Sequence, residues 1–378
     1  MIIKDPKRLG ALALVATFAL GACSGSGATT APSSGASSEA TSAASEAPPS
    51  SAPGAGNLSA TLLGAGATFP DPVYQEWIGA FTKDVEPGVA ITYEPIGSGG
   101  GVEQFIGQST DFGGSDAFMK DDEIAAAEQA RGCEVLHIPT VFGAVAVAYN
   151  LSGVDGLVLD SDTLAKIFLG TITKWNDPAI VALNSGLSLP DADIIVAHRS
   201  DGSGTTSIFT TYLDHESSDW SSAVGKGKEV SWPTGVGGQG NDGVAAAITQ
   251  NDGGIGYVEL SYAIENDLAV ARMQNKDGAA IEPTLESTAA AADGITIPDD
   301  LRFNILDVGG NGYPIAGATW ILAYTCGYDA AKADALKAFL TWSLEQGDSI
   351  AQDLRYAPIG DALQEKALAN VNRINEGG

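Results

Sequence analysis

Basic residues are scarce in this chain: 19 Lys and Arg stand against 47 Asp and Glu over 378 residues, a net charge of −28. Such a surface repels polyanions and excludes nucleic acid as a partner, so any anion it takes must be small and held locally. Histidine is equally sparse. His137, His198 and His215 match no metal-ligand spacing, so neither a metal nor a cofactor is expected. There is no G-x-S-x-G elbow, and no histidine is tied by local sequence to a Ser or Asp, which leaves a secreted phosphatase or serine hydrolase poorly equipped. His198, beside Arg199, reads as a structural residue at a strand end rather than a general base. No segment reaches the roughly 18 uninterrupted apolar residues of a membrane-spanning helix.

Cysteine is limited to Cys23, Cys133 and Cys326, and the first explains the compartment. Lys4, Lys7 and Arg8 precede an apolar run from Leu9 to Leu20 that ends in Leu20-Gly21-Ala22-Cys23. This reads as a lipoprotein signal peptide over 1–23, similar to the bacterial lipobox, with Cys23 lipidated after cleavage and holding the protein on the outer face of the cell membrane. Residues 24–57 are almost wholly Ser, Ala, Gly, Thr and Pro with a few Glu, a composition unable to bury enough apolar surface to order itself. Such a tether reaches roughly 30 to 35 Å on average. In an exported protein Cys133 and Cys326 are expected to pair as a disulfide, with two buried thiols as the alternative.

Beyond Leu58, β-rich runs (90–93, 141–149, 193–198, 254–260 and 319–324) alternate with helix-period segments, the signature of α/β architecture. Val73, Tyr74, Trp77, Ile78 and Phe81 share one helix face, as do Leu164, Ile167 and Phe168, and Leu336, Phe339, Leu340 and Trp342. These read as core.

Three Gly/Ser/Thr turns interrupt this pattern. Arg199-Ser200-Asp201-Gly202-Ser203-Gly204-Thr205-Thr206 follows an apolar run and opens a helix: unpaired N–H groups, hydroxyl donors and one guanidinium make an anion cradle. Gly64-Ala65-Gly66-Ala67-Thr68-Phe69-Pro70 also meets a helix start; Thr68 can donate through hydroxyl and N–H, and Phe69 through its N–H. Gly97-Ser98-Gly99-Gly100-Gly101 repeats the arrangement. Any one of these is explicable as punctuation; together they point to an anion. Asp116, in the small-residue loop Asp111-Phe112-Gly113-Gly114-Ser115-Asp116, is out of place beside an anion unless the ligand carries a proton that the carboxylate can accept.

These motifs, with Gly170-Thr-Ile-Thr-Lys-Trp-Asn-Asp-Pro178, Gly240-Asn-Asp-Gly243 and Gly254-Ile-Gly-Tyr257, occur in the order found in one family. From about Leu58 onward the chain closely resembles the phosphate-binding protein of the bacterial phosphate ABC transporter. The resemblance implies a type II periplasmic binding protein of two lobes, each a central β-sheet flanked by helices, joined by a two-segment hinge. It implies lobe 1 over 58–148 and 259–378 and lobe 2 over 149–258, with crossings near Val145–Leu151 and Gly256–Ser261. It assigns Thr68, Phe69, Ser98 and Asp116 to phosphate from one lobe and Arg199, Ser203, Gly204 and Thr205 from the other. Asp201 is expected to pair with Arg199 and orient it. Gly99, Thr206 and Phe118 depart from the family pattern, where Ser, Ser and Pro are common. The segments 170–178 and 240–243 carry no derivable ligand role and read as packing and turn geometry.

The implied activity is binding without catalysis: high-affinity capture of inorganic phosphate and delivery to the transmembrane permease by lobe closure, by a monomer. A receptor for another oxyanion, such as sulfate or molybdate, would share the fold but leave Asp116 unexplained.

Overall fold

The computed structural model describes residues 56–377; the expected signal peptide, Cys23 and the tether up to residue 55 lie outside them. Eight strands carry the fold: β1 (Ala60–Gly66), β2 (Val89–Glu94), β3 (Phe112–Ser115), β4 (Val135–Asn150), β5 (Ile195–Arg199), β6 (Val236–Gly238), β7 (Gly254–Glu259) and β8 (Ala316–Tyr324). They form one hydrogen-bonded path in the order β2-β1-β3-β8-β4-β7-β5-β6. The helices that build the core and the site are α1 (Asp71–Ala80), α2 (Ser98–Ile106), α3 (Asp121–Arg131), α4 (Ser161–Phe168), α5 (Gly204–Glu216), α6 (Gly240–Thr249) and α7 (Ala330–Gln346).

The path divides on β4. This strand is 16 residues long and buried along nearly its whole length, as expected for an apolar run covered on both faces. Its first part pairs antiparallel with β8, ending at Ala144↔Ala316; its second part pairs antiparallel with β7, beginning at Val145↔Glu259. On the β8 side, β1 pairs parallel with β2 and β3; on the β7 side, β5 pairs parallel with β6 and β7. The result is two sheets, each flanked by helices, that share one long strand. A register shift opposite Thr319 and Trp320 leaves Thr140 as the extra residue after Pro139, where the missing proline N–H already breaks the ladder.

The helix faces read from the sequence meet these sheets. Val73, Tyr74, Trp77, Ile78 and Phe81 are buried, with Phe81 starting a π-turn that extends α1; Leu164, Ile167 and Phe168 of α4 and Leu336, Phe339 and Leu340 of α7 are buried as well. Trp342 sits at the core's edge against Phe81. Cys133 and Cys326 are disulfide-bonded, 5.5 Å apart at Cα, just before β4 and just after the neighbouring end of β8. The segment 112–115 is not a loop but β3, paired with β1 and β8; Gly113 and Gly114 are glycines there because a Cβ would run into Phe105 and Leu322, and into Tyr93. Asp116 therefore stands just past the end of a strand, beside the end of β1 and the middle of β8, where Ser115 pairs with Trp320.

Candidate functional site

Three of the glycine turns converge where the two sheets face each other. Each connects a strand end to a helix start: β1 to α1 through Thr68 and Phe69, β2 to α2 at Ser98, and β5 to α5 through Arg199–Ser203. Ser203 caps α5, its Oγ accepting from Thr206 N at 3.0 Å. Neither α1 nor α2 has a side-chain cap, so their first-turn N–H groups are not occupied that way.

Thr68, Ser98, Asp116, Arg199, Ser203 and Thr205 are all buried here. Gly204 N donates to Ser98 Oγ at 3.0 Å, and Ser98 Oγ donates to Asp116 Oδ2 at 3.3 Å, so one hydroxyl links the two halves of the cleft to the acid. Gly99 N donates to Gly202 O at 2.8 Å across the same gap. These contacts explain two glycines. A Cβ on Gly204 would lie 2.5 Å from Asp116 Cβ, and one on Gly97, whose φ is +90°, would lie 2.4 Å from Asp201 Oδ2. Farther out, Lys228 Nζ bonds Glu123 Oε1 of α3 at 2.7 Å.

The charges are arranged around one guanidinium. Asp201 takes Arg199 in a two-point grip, Nε to Oδ1 at 2.8 Å and Nη2 to Oδ2 at 2.5 Å. Burial pushes Asp201 up, but the Arg199 hydrogen bond and charge, with the Gly240 N–H, outweigh it and hold the carboxyl below its usual range. Arg199 Nη1 also reaches Thr205 Oγ1 at 3.4 Å. Asp116 behaves oppositely: burial pushes it up to about 7, against the opposing pull of Thr319, Arg199 and Ser98. Thr319 Oγ1 donates to its Oδ1 at 2.7 Å. With Arg199 already neutralised by Asp201, a bound anion would meet chiefly N–H and O–H dipoles, with one acceptor among them.

Several residues that local sequence did not single out complete the site. The carbonyls of Ala67, Thr68 and Phe69 each accept a tyrosine hydroxyl, from Tyr93 (2.8 Å), Tyr262 (2.6 Å) and Tyr356 (2.7 Å). Because N–H and C=O of a trans peptide point in opposite directions, this fixes the Thr68 and Phe69 N–H groups away from the tyrosines. The reading of 240–243 as packing alone needs correction: Asn241, wholly buried, directs Nδ2 at Thr68 Oγ1 (2.9 Å) and Thr205 Oγ1 (3.4 Å), bridging the cleft. Its place at the start of α6 was the available signal. The segment 170–178 stays remote; Trp175 Nε1 donates to Gly253 O at 3.1 Å and Asp177 caps the next helix.

The departures have local partners. Thr206 Oγ1 bonds Tyr257 OH at 2.7 Å, Gly99 lies against Gly202, and Phe118 packs edge-on to Trp320. None of the histidines is set up as a base here. His198 stacks on Trp232 with Nδ1 2.9 Å from Arg199 O, His215 bonds Asp307, and His137 Nε2 accepts from Met119 N.

A PBP superfamily domain profile matches residues 34–346. The phosphate-binding protein PstS of Pasteurella multocida is 41% identical over 317 residues, covering 82% of this chain and 89% of that protein. The chain belongs to the PstS phosphate-binding protein family. The PstS of Methanocaldococcus jannaschii is 40% identical over 336 residues, covering 82% of this chain and 85% of its own length. Among solved structures, a high-affinity periplasmic phosphate-binding protein bound with phosphate (PfluDING) superposes with a TM-score of 0.70 at 22% identity, over 84% of this chain and 99% of that one. A phosphate-binding protein from Stenotrophomonas maltophilia superposes at 0.63 and 20% identity, over 82% of this chain and 94% of that one. The two-lobed binding-protein fold expected from the sequence is thus the fold of the family.

Proposed function

We propose that this protein binds inorganic phosphate outside the cell membrane and delivers it to the phosphate ABC permease by lobe closure, performing no chemistry on it. The observation that carries this reading is Asp116, a buried acid among hydroxyl and N–H donors and one paired arginine: a single acceptor in a donor-rich cleft suits an oxyanion that still holds a proton. In this reading Thr68, Phe69, Ser98 and Asp116 act from one side and Arg199, Ser203, Gly204 and Thr205 from the other. Each half holds part of the donor set, so the anion favours the closed arrangement through contacts that only closure completes. Arg199 supplies the one cation, and Asp201 keeps its fork oriented.

The proposed lobe boundaries, 58–148 with 259–378 and 149–258, are supported by the change of β4's partner between Ala144 and Val145 and by the end of β7 at Glu259. Anchoring through Cys23 and a monomeric state belong to the same proposal. Calorimetric titration at pH 8 tests its centre: phosphate should bind at least tenfold more tightly than sulfate, and equal binding of both, or release of phosphate from an ester, would overturn it. Cys23→Ala should release the protein from membranes or leave it unprocessed; unchanged membrane retention would remove the lipid anchor.

A further inference from the structure

Asn241 lies one layer behind the proposed ligand contacts, and its chemistry is more specific than packing. Its Oδ1 accepts the backbone N–H of Glu259 at 3.1 Å. That bond fixes the amide the right way round, so Nδ2, which can only donate, faces Thr68 Oγ1 at 2.9 Å and Thr205 Oγ1 at 3.4 Å. A threonine hydroxyl has one proton and two lone pairs. Left alone, it can turn either toward an anion, and lone pairs facing an oxyanion repel it. Thr68 Oγ1 has one lone pair taken by Asn241, and Thr205 Oγ1 has both taken, by Asn241 and by Arg199 Nη1. Their protons must then go elsewhere.

On the phosphate-binding reading above, we infer that Asn241 is a positioning residue that turns the Thr68 and Thr205 hydroxyls, on opposite sides of the cleft, into donors toward the anion. Asn241 and Thr205 are fully buried and Thr68 is 7% exposed, so water does not compete freely for these lone pairs. The same amide spans the cleft, which makes the polarity of the Thr68 hydroxyl depend on closure. With both Thr205 lone pairs engaged and one of the two on Thr68, Asp116 is the main group offering lone pairs to the ligand, and the contrast between it and the two oriented hydroxyls sharpens selection of a protonated oxyanion.

The test is a pair of double-mutant cycles read by phosphate titration of the full chain, with thermal midpoints as a check on folding. Asn241→Asp keeps the size and the acceptor for Glu259 N–H but replaces the NH₂ donor by an acceptor, so a merely structural role is preserved. Its added negative charge weakens phosphate binding in every background and cancels in the comparison. Beyond that common loss, Asn241→Asp should weaken binding about tenfold more in the parent than in a Thr68→Val background, and likewise more than in Thr205→Val, since one hydrogen-bonded donor is worth about that much. Equal losses in parent and valine backgrounds would overturn the inference, as would Thr68→Val and Thr205→Val variants that bind phosphate as tightly as the parent. If either valine variant binds too weakly to titrate, the other cycle decides. A parent that gives no phosphate signal would instead sink the phosphate reading itself.

Discussion

Replacing Asp116 by Asn is the most searching perturbation of this site, because it changes one acceptor oxygen to a donor without changing size or burial. In the parent, burial pushes the carboxyl up to about 7 while Thr319 and Ser98 each donate to one of its oxygens. Phosphate brings its own proton to the carboxylate. Sulfate brings none, so it needs Asp116 protonated. Two units above that value only about one carboxyl in a hundred carries the proton, so sulfate affinity for the parent should fall about tenfold per pH unit above 7. By pH 9 the cost is about 2.7 kcal/mol, and it grows toward the 10⁴-fold mismatch of an unpaired buried acceptor. Below pH 6 the parent's sulfate affinity should level off. The Asn variant has no proton to lose: its sulfate affinity should be flat between pH 6 and 9 and, at pH 9, about a hundredfold tighter than the parent's. Phosphate should weaken only modestly, since the amide can accept through its oxygen or donate after a flip. Dissociation constants for both anions at pH 6, 7, 8 and 9 decide the matter. A parent whose sulfate affinity ignores pH, or a sulfate-to-phosphate ratio unmoved by the substitution at pH 9, would refute the assignment of Asp116 as proton reader.

Other parts of the site make separate predictions. Arg199→Ala removes the cation of a buried charged pair and should weaken phosphate by about 2 to 5 kcal/mol, about thirtyfold or more by titration; undiminished binding by a folded variant would exclude Arg199 as a ligand. Gly204→Ala places a methyl 2.5 Å from both Asp116 Cβ and Ser98 Oγ, so phosphate affinity should drop at least tenfold while the ligand-free thermal midpoint stays nearly unchanged, and parent-like affinity would show that the approach is not needed for binding. Burial pushes Glu259 up to about 8, against the opposing bonds from Ser261 and Tyr356, so the folded protein holds a proton that the unfolded chain releases from about 4.5 upward. That contribution is complete below about 4.5 and is lost as pH rises toward 8, by up to about 1.4 kcal/mol per unit. Glu259→Gln should therefore gain stability relative to the parent between pH 5 and pH 8, and a difference in thermal midpoint that does not change with pH would refute it.

What the sequence determined by itself was everything that depends on neighbours along the chain. A Gly/Ser/Thr turn between an apolar run and a helix start presents N–H groups by local geometry alone, so Thr68, Ser98 and Arg199–Thr205 could be picked out before any fold was known. Asp116 stood out because an acid among donors has few uses, and the alternation of strand and helix periods was enough for the α/β class. The tertiary structure decided what those groups are bonded to. Asn241 meets Thr68 across 173 residues, Thr319 meets Asp116 across 203 and Tyr356 meets Phe69 across 287; no pattern of period 2 or 3.6 reports such pairs. For the same reason 112–115 read as a loop until β1 and β8 were seen on either side of it. Glycine-rich strands carry no periodic signal, and only the residues packed against them give the small side chains a reason. The proton affinity of Asp116 is likewise a property of the fold, since burial raises it and burial is made by chain segments far apart in sequence.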